Sequence, residues 1–331
     1  MDKPITLTPN NLIIGLSVVA LAWLLVQVET IIILLFVSLL LALVLEPAVI
    51  WQTKRKVPRS IAVILTMLSI VLVVGGLLTF SLTPIVNQTT QFISQFPKLL
   101  KSVVGSVSID TAISNIGNAV VSQVASTSDS IIKITLAGFE AVLTAMSVLF
   151  FTAYILIDME NLRRLFLGLF KREDQNKMVA GVLEEIQLRL GGWLRGQIVL
   201  MLVIGIGTYV GLSLLRLDYV LPLAIIAGFL EIVPILGPIL SAVPSVVVGF
   251  AVSPLVGLGV LGWFILLQQL ENNLIVPKVM QKSVGFNPLI TMVVILIGAK
   301  LLGMAGALLA VPITLVVAII IKNILPAGGA K

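Results

Sequence analysis

Apolar stretches of about 20 residues recur along this chain, and no other feature limits its fold as severely. The first runs almost unbroken from Leu12 to Ile50. The residues are 59% hydrophobic and 11% charged, whereas soluble domains sit near 45–50% apolar and about 25% charged. A water-soluble fold could not hide that surface. Transmembrane strands alternate polar with apolar residues; these runs are continuous, so helices are expected. The sequence predicts an all-α, polytopic integral membrane protein.

The 331 residues include no cysteine and no histidine. That excludes disulfides, thiol nucleophiles, thiolate metal sites and Ser-His-Asp catalysis. It also leaves any proton chemistry to Asp, Glu, Lys or Tyr. Neither HExxH nor a phosphate-binding GxxxxGK[ST] loop is present, so a zinc protease and direct ATP drive have no motif. The expectation is a protein that is not an enzyme, with no cofactor and no metal. The net charge of +6 fits basic cytoplasmic loops better than nucleic-acid binding.

Along the chain, Leu12–Val28, Thr30–Leu45 and Ile61–Leu82 read as spans, with the basic stretch "TKRKVPR" before the third. Residues 85–132 turn polar but keep apolar residues at helical spacing: Phe92, Phe96, Leu99 and Val103, then Ile109, Ile113, Ile116 and Val120. They are expected to form an extracytoplasmic amphipathic insertion. Ile134–Ile157 is a fourth span, and the charged segment 158–195 a cytoplasmic amphipathic linker within one membrane domain, 1–331. Placing the N-terminus, 51–60, 158–195, 271–286 and the C-terminus on one side collects 16 of the 21 basic residues. That side is expected to be cytoplasmic, in a cell (inner or plasma) membrane.

Beyond Gln197–Leu215 the apolar pieces shorten. Leu221–Val233, Ile239–Val252 and Leu289–Ala299 hold only about 11 to 14 residues, roughly 20 Å of helix against a 30 Å hydrocarbon core. Such pieces join across a break or re-enter. A helix broken inside a membrane frees N–H and C=O groups, tolerated only beside protein or water. In transporters these ends face ions or substrates.

The stretch "FLEIVPILGP" at 229–238 places Glu231 beside Pro234, Gly237 and Pro238. An acid at that depth is expected to face a cavity, a partner or an ion; the plainer alternative is a structural acid bonded to a neighbouring helix. A second cluster, Gln268, Gln269, Glu271, Asn272 and Asn273, precedes Pro277. Its amides suit a polyhydroxylated solute and its carboxylate a cation, or it caps a helix at the headgroups. Arg195 and Gln197 stand at the entry of the fifth span, where Arg195 also suits a positive-inside anchor.

Five ordered motifs carry a family likeness: "LRGQ" at 194–197, "FLEIVPILGPILSAVP" at 229–244, "QLENNLIVPKVM" at 269–280, "VGFNPL" at 284–289 and "GALLAVPI" at 306–313. The chain resembles the autoinducer-2 exporter family of permeases. The resemblance implies about eight membrane passes, with broken or re-entrant helices in the C-terminal half, and carrier-type transport. It implies autoinducer-2 export or exchange of sodium or lithium for protons. It carries an acid onto Glu231, an acid–amide pair onto Glu271 and Asn272, and breakers onto Pro234, Gly237, Pro238, Pro244 and Pro277. Asn287 stands where the family often has histidine.

The expected function is secondary export of a small polar solute such as autoinducer-2, coupled to an ion. The alternatives are a sodium or lithium/proton antiporter and an oligomeric scaffold or pore. Expected partners are the solute, a monovalent cation and proton, the lipid bilayer and further copies in a homo-oligomer; nucleic acid is excluded.

Overall fold

A computed structural model describes residues 23–24, 27–104, 127–280 and 287–324. Most of the Leu12–Val28 span and the stripe beginning at Ile109 lie outside these. The described residues form helices α1 (Glu29–Thr53), α2 (Arg59–Val104), α3 (Thr127–Gly168), α4 (Glu173–Leu214), α5 (Val220–Leu230), α6 (Leu236–Val252), α7 (Pro254–Leu270), α8 (Val276–Val279) and α9 (Pro288–Ile324). A π-helical turn, Glu271–Ile275, joins α7 to α8. Six of the described helical segments are long and apolar enough to cross a membrane. The chain is a polytopic, all-α membrane protein.

Three helices run much further than a bilayer requires. α2 has 46 residues, about 69 Å at 1.5 Å per residue, so the third span and the Phe92–Phe96–Leu99 stripe belong to one rod. Pro84 lies within it without ending it. The charged stretch 158–195 is likewise shared between the end of α3 and the start of α4. Asn176 at the start of α4 donates to the carbonyls of Leu167, in the last turn of α3, and Phe170, in the turn that follows, tying the two helices at their junction.

Packing divides into three larger cores and a small fourth of Ile204, Ala227 and Leu267. Leu40 and Leu43 of α1, Leu190 and Trp193 of α4, and Leu309, Leu315 and Ile319 of α9 make the first. Phe92 of α2 joins Leu212, Leu223, Val248, Val260 and Phe264 in the second. Ala42, Val49, Ala62, Val63 and Leu156 join α1 to α2 and α3. Arg59 ties that third core shut, donating to the Leu156 carbonyl at 2.8 Å and pairing with Glu160 at 2.9 Å. Elsewhere apolar side chains such as Leu72 and Phe150 point outward, about two-thirds exposed, as lipid-facing helices require.

α9 is two helices with a reversal between them. Leu302 and Gly303 leave helical geometry, Gly303 at φ 59° and ψ −140°. A straight rod would separate Gly298 from Gly306 by about 12 Å. Instead a Cβ built on Gly306 would lie 2.0 Å from the Gly298 carbonyl oxygen, and Thr291 and Val311 line one cavity. The arms 288–301 and 304–324 therefore fold back on each other, with Lys300 at the bend.

Candidate functional site

α5 stops at Leu230 because the chain ahead cannot continue it. Pro234 has no N–H to donate, and Ile235 takes φ 72°, ψ −51°, a γ-turn geometry closed by Leu236 N–H on the Pro234 carbonyl at 2.9 Å that a β-branched residue rarely adopts. Gly237 then passes so close to the Leu230 carbonyl that a Cβ would lie 2.0 Å from its oxygen. α6 starts there and runs back alongside α5, Leu223 meeting Val248 in the second core. The 221–252 segment is broken at 231–235, where the sequence placed its acid.

α7 returns from the far end of α6 and brings Glu271 to the same depth. The π-helical turn adds one residue to the helical circuit and leaves Glu271 buried while Asn272 and Asn273 stay exposed. Glu231 is 2% and Glu271 6% exposed, and their carboxyls lie within hydrogen-bonding reach of each other. Gln268 donates to Glu271 Oε2 at 3.0 Å and to Asn272 Oδ1 at 3.4 Å. From α4, Gln197 donates to the Glu231 backbone carbonyl, one of the acceptors that the end of α5 sets free.

These groups border a cavity of about 460 Å³. Gln197, Glu231, Pro234, Gln268, Glu271 and Asn272 line it, of the residues singled out from the sequence. Trp193, Leu200, Ile239, Thr291 and Val311 also line it; apolar periodicity marks them only as ordinary membrane-helix residues. Gln269 and Asn273 turn away and bond to each other at 3.0 Å. Arg195 donates to the Leu43 carbonyl of α1 at 3.0 Å and does not line the cavity. Gly237 and Pro238 shape the break without lining it. Lys300 forms no ion pair with Glu231 among the described residues. Asn287 caps the start of α9, its Oδ1 accepting from Leu289 N–H at 2.9 Å.

At this cavity, Glu231 Oε2 and Gln197 Oε1 are buried and have no hydrogen-bond partner among the described residues. Facing carboxyls shielded from water are reconciled by a proton held between them or by a bound cation. The site thus offers oxygen acceptors, two acids and a few amides in a mostly apolar chamber. No group of three or more metal-ligating side chains occurs among the described residues.

A family model described as AI-2E family transporter matches residues 12–326. A candidate transport protein of Mycobacterium tuberculosis is 29% identical over 91% of this chain and 85% of its own length. PerM, a candidate permease of Escherichia coli, is 27% identical over 82% of this chain and 78% of its own. A sodium-lithium/proton antiporter of Halobacillus andaensis is 22% identical, over 83% and 84% respectively.

Proposed function

Because the chain belongs to the AI-2E family of transporters, we propose that it is a secondary carrier exporting a small polar solute of the autoinducer-2 kind, with a proton or monovalent cation exchanged at Glu231 and Glu271. The observation that carries this reading is the facing pair of buried carboxyls beside the break between α5 and α6. The amides of Gln197, Gln268 and Asn272 and the hydroxyl of Thr291 border the same space and suit a hydroxyl-rich solute. In this reading α5–α6 and the two arms of α9 are re-entrant hairpins. Both chain termini lie in the cytoplasm, and the carrier assembles as a homo-oligomer in the cell membrane.

The test is transport by the purified protein in liposomes. Labelled autoinducer-2 should cross faster than in empty vesicles, and an imposed pH gradient should change the rate. Glu231→Gln should slow it roughly tenfold or more, equivalent to at least ~1.4 kcal/mol. Solute flux absent in the wild type rejects the exporter.

A second reading is sodium or lithium/proton antiport. The unpartnered Glu231 and Gln197 oxygens favour it, since hard cations take oxygen ligands, and the Halobacillus relative carries that name. A pH-sensitive dye inside the liposomes should then respond to sodium or lithium pulses without solute. A steady single-channel conductance would instead reject both carriers in favour of a pore.

A further inference from the structure

Two cavities adjoin on α4 and α5: one at the Val220 end of α5, far from the carboxyl pair, and one along the outside of α5 as far as Phe229. One, of about 790 Å³, lies between Gln88 and Gln91 of α2, Ser213 of α4 and the turn at Asp218 and Tyr219. The other, of about 430 Å³, is a groove on the outer face of α4 and α5 walled by Leu202, Ile206, Ile225 and Phe229. Its floor is flush because Gly205 and Gly228 pack backbone against backbone; a Cβ on Gly228 would sit 3.2 Å from the Gly205 Cα. Tyr209 and Leu221 line both cavities. At these residues the two cavities adjoin, making a slot with amide, hydroxyl and acidic side chains in the first part and almost wholly apolar ones in the second.

Its depth fits a lipid. Gln88 follows Arg59 by 29 positions on α2, about 44 Å of helix, which matches the ~40–45 Å between the two headgroup layers of a bilayer. The polar cavity therefore opens at headgroup level and the groove descends into hydrocarbon. Tyr209 at the junction has the amphipathic character that places tyrosine at membrane interfaces. The one acidic group in the polar cavity, Asp218, has no ion-pair partner among the described residues. Asp218 is exposed; Gln88, Gln91, Ser213 and Tyr219 line the same cavity, and Gln88 Oε1 accepts from Leu221 N–H at 3.3 Å. An unpaired carboxylate among hydrogen-bonding groups suits a primary ammonium, which brings charge and three donors; a quaternary ammonium brings charge without donors.

We infer that this slot binds one bilayer phospholipid of the ethanolamine class, its ammonium at Asp218 and one acyl chain laid over Gly205 and Gly228. The inference stands apart from the transport reading, because neither cavity includes Glu231 or Glu271. A free polar solute would leave the apolar groove unused.

The full-length protein, reconstituted in nanodiscs containing equal phosphatidylethanolamine and phosphatidylcholine, should be released into mild detergent and weighed by native mass spectrometry. Wild type should retain phosphatidylethanolamine over phosphatidylcholine by roughly tenfold, the effect of one charge-assisted hydrogen bond. Asp218→Asn should abolish that preference, and Leu202→Trp, at an exposed wall position, should lower retention of both lipids. Equal retention of the two lipids by wild type overturns the proposal and needs no variant to be folded. So does an unchanged preference in Asp218→Asn, or a crosslink from position 202 to a second copy showing that protein fills the groove.

Discussion

Arg195 and Gln197 stand two positions apart on α4, and two helical steps turn a side chain through about 200°. One therefore reaches α1 and the Leu43 carbonyl while the other reaches the Glu231 carbonyl. The sequence grouped them because both interrupt an apolar run; only the helical phase against two particular neighbours separates them. The same geometry splits the amide cluster. Gln268 meets Glu271 and Asn272, three and four positions on, whereas Gln269 meets Asn273 on a face turned about 100° from it. Periodicity could have made that division, but the π-helical turn that buries Glu271 leaves no composition signal. Gln197→Leu should strip the Glu231 carbonyl of its donor at a cost of ~1–3 kcal/mol. It should lower the thermal midpoint in detergent and slow transport. Asn273→Ala should leave transport within about twofold of wild type, since its exposed partner is another amide. If Asn273→Ala proves as damaging as Gln268→Ala in the liposome assay, the assignment of faces is wrong.

Short elements were legible as short, and their partners were not. The 13-residue run Leu221–Val233 followed by Pro234 announces a short helix, and α5 ends at Leu230 with the break at 231–235. Nothing in the residue types of Ile235 announces φ 72°, because the conformation is imposed by the close passage of Gly237 over Leu230 rather than preferred locally. Conversely, Pro84 suggests an end that α2 does not take; a proline-interrupted membrane helix can continue where neighbours satisfy the freed carbonyl. The reversal in α9 is the sharpest case. "GMAGALLA" at 303–310 reads as small residues for close packing, and Gly306 packs against Gly298 in the other arm of the same helix pair. Gly306→Val should force the arms apart and lower the thermal midpoint; overpacking of this kind typically costs ~1–3 kcal/mol. Spin labels at Ile290 and Ile313, both exposed, would be about 35 Å apart on a straight helix. The folded-back arms should bring them to less than half that distance, and a measured separation near the straight-helix value would exclude the reversal.

For the whole molecule, the outward-facing surface follows from composition, because a chain with a mean hydropathy of +1.17 must present most of its apolar side chains to lipid. Which end of the bundle faces the cytoplasm follows from a different quantity, the placement of Lys and Arg. In the fold, Arg59 with Glu160 and Lys322 with Glu185 mark the ends where α2, α3, α4 and α9 carry their charge. Arg55 lies over the Trp51 ring at 3.7 Å in the same basic turn, an arrangement suited to the interface. Lys98 belongs to the other end, 39 positions beyond Arg59 on α2, about 58 Å along that rod and so past the full thickness of a bilayer. The absence of cysteine from the sequence makes any introduced thiol unique. In intact cells a membrane-impermeant maleimide should label Lys98→Cys and spare Lys56→Cys, and inverted vesicles should reverse the pattern. Labelling of Lys56→Cys from outside would turn the molecule over. Gln197, at the cavity, lies 17 residues, about 25 Å, from the Leu214 end of α4 and 24 residues from its Glu173 end, so the same labels report which side of the membrane each end of that helix faces. The labelling experiment thus fixes orientation, and the direction of transport is read separately from the liposome assay.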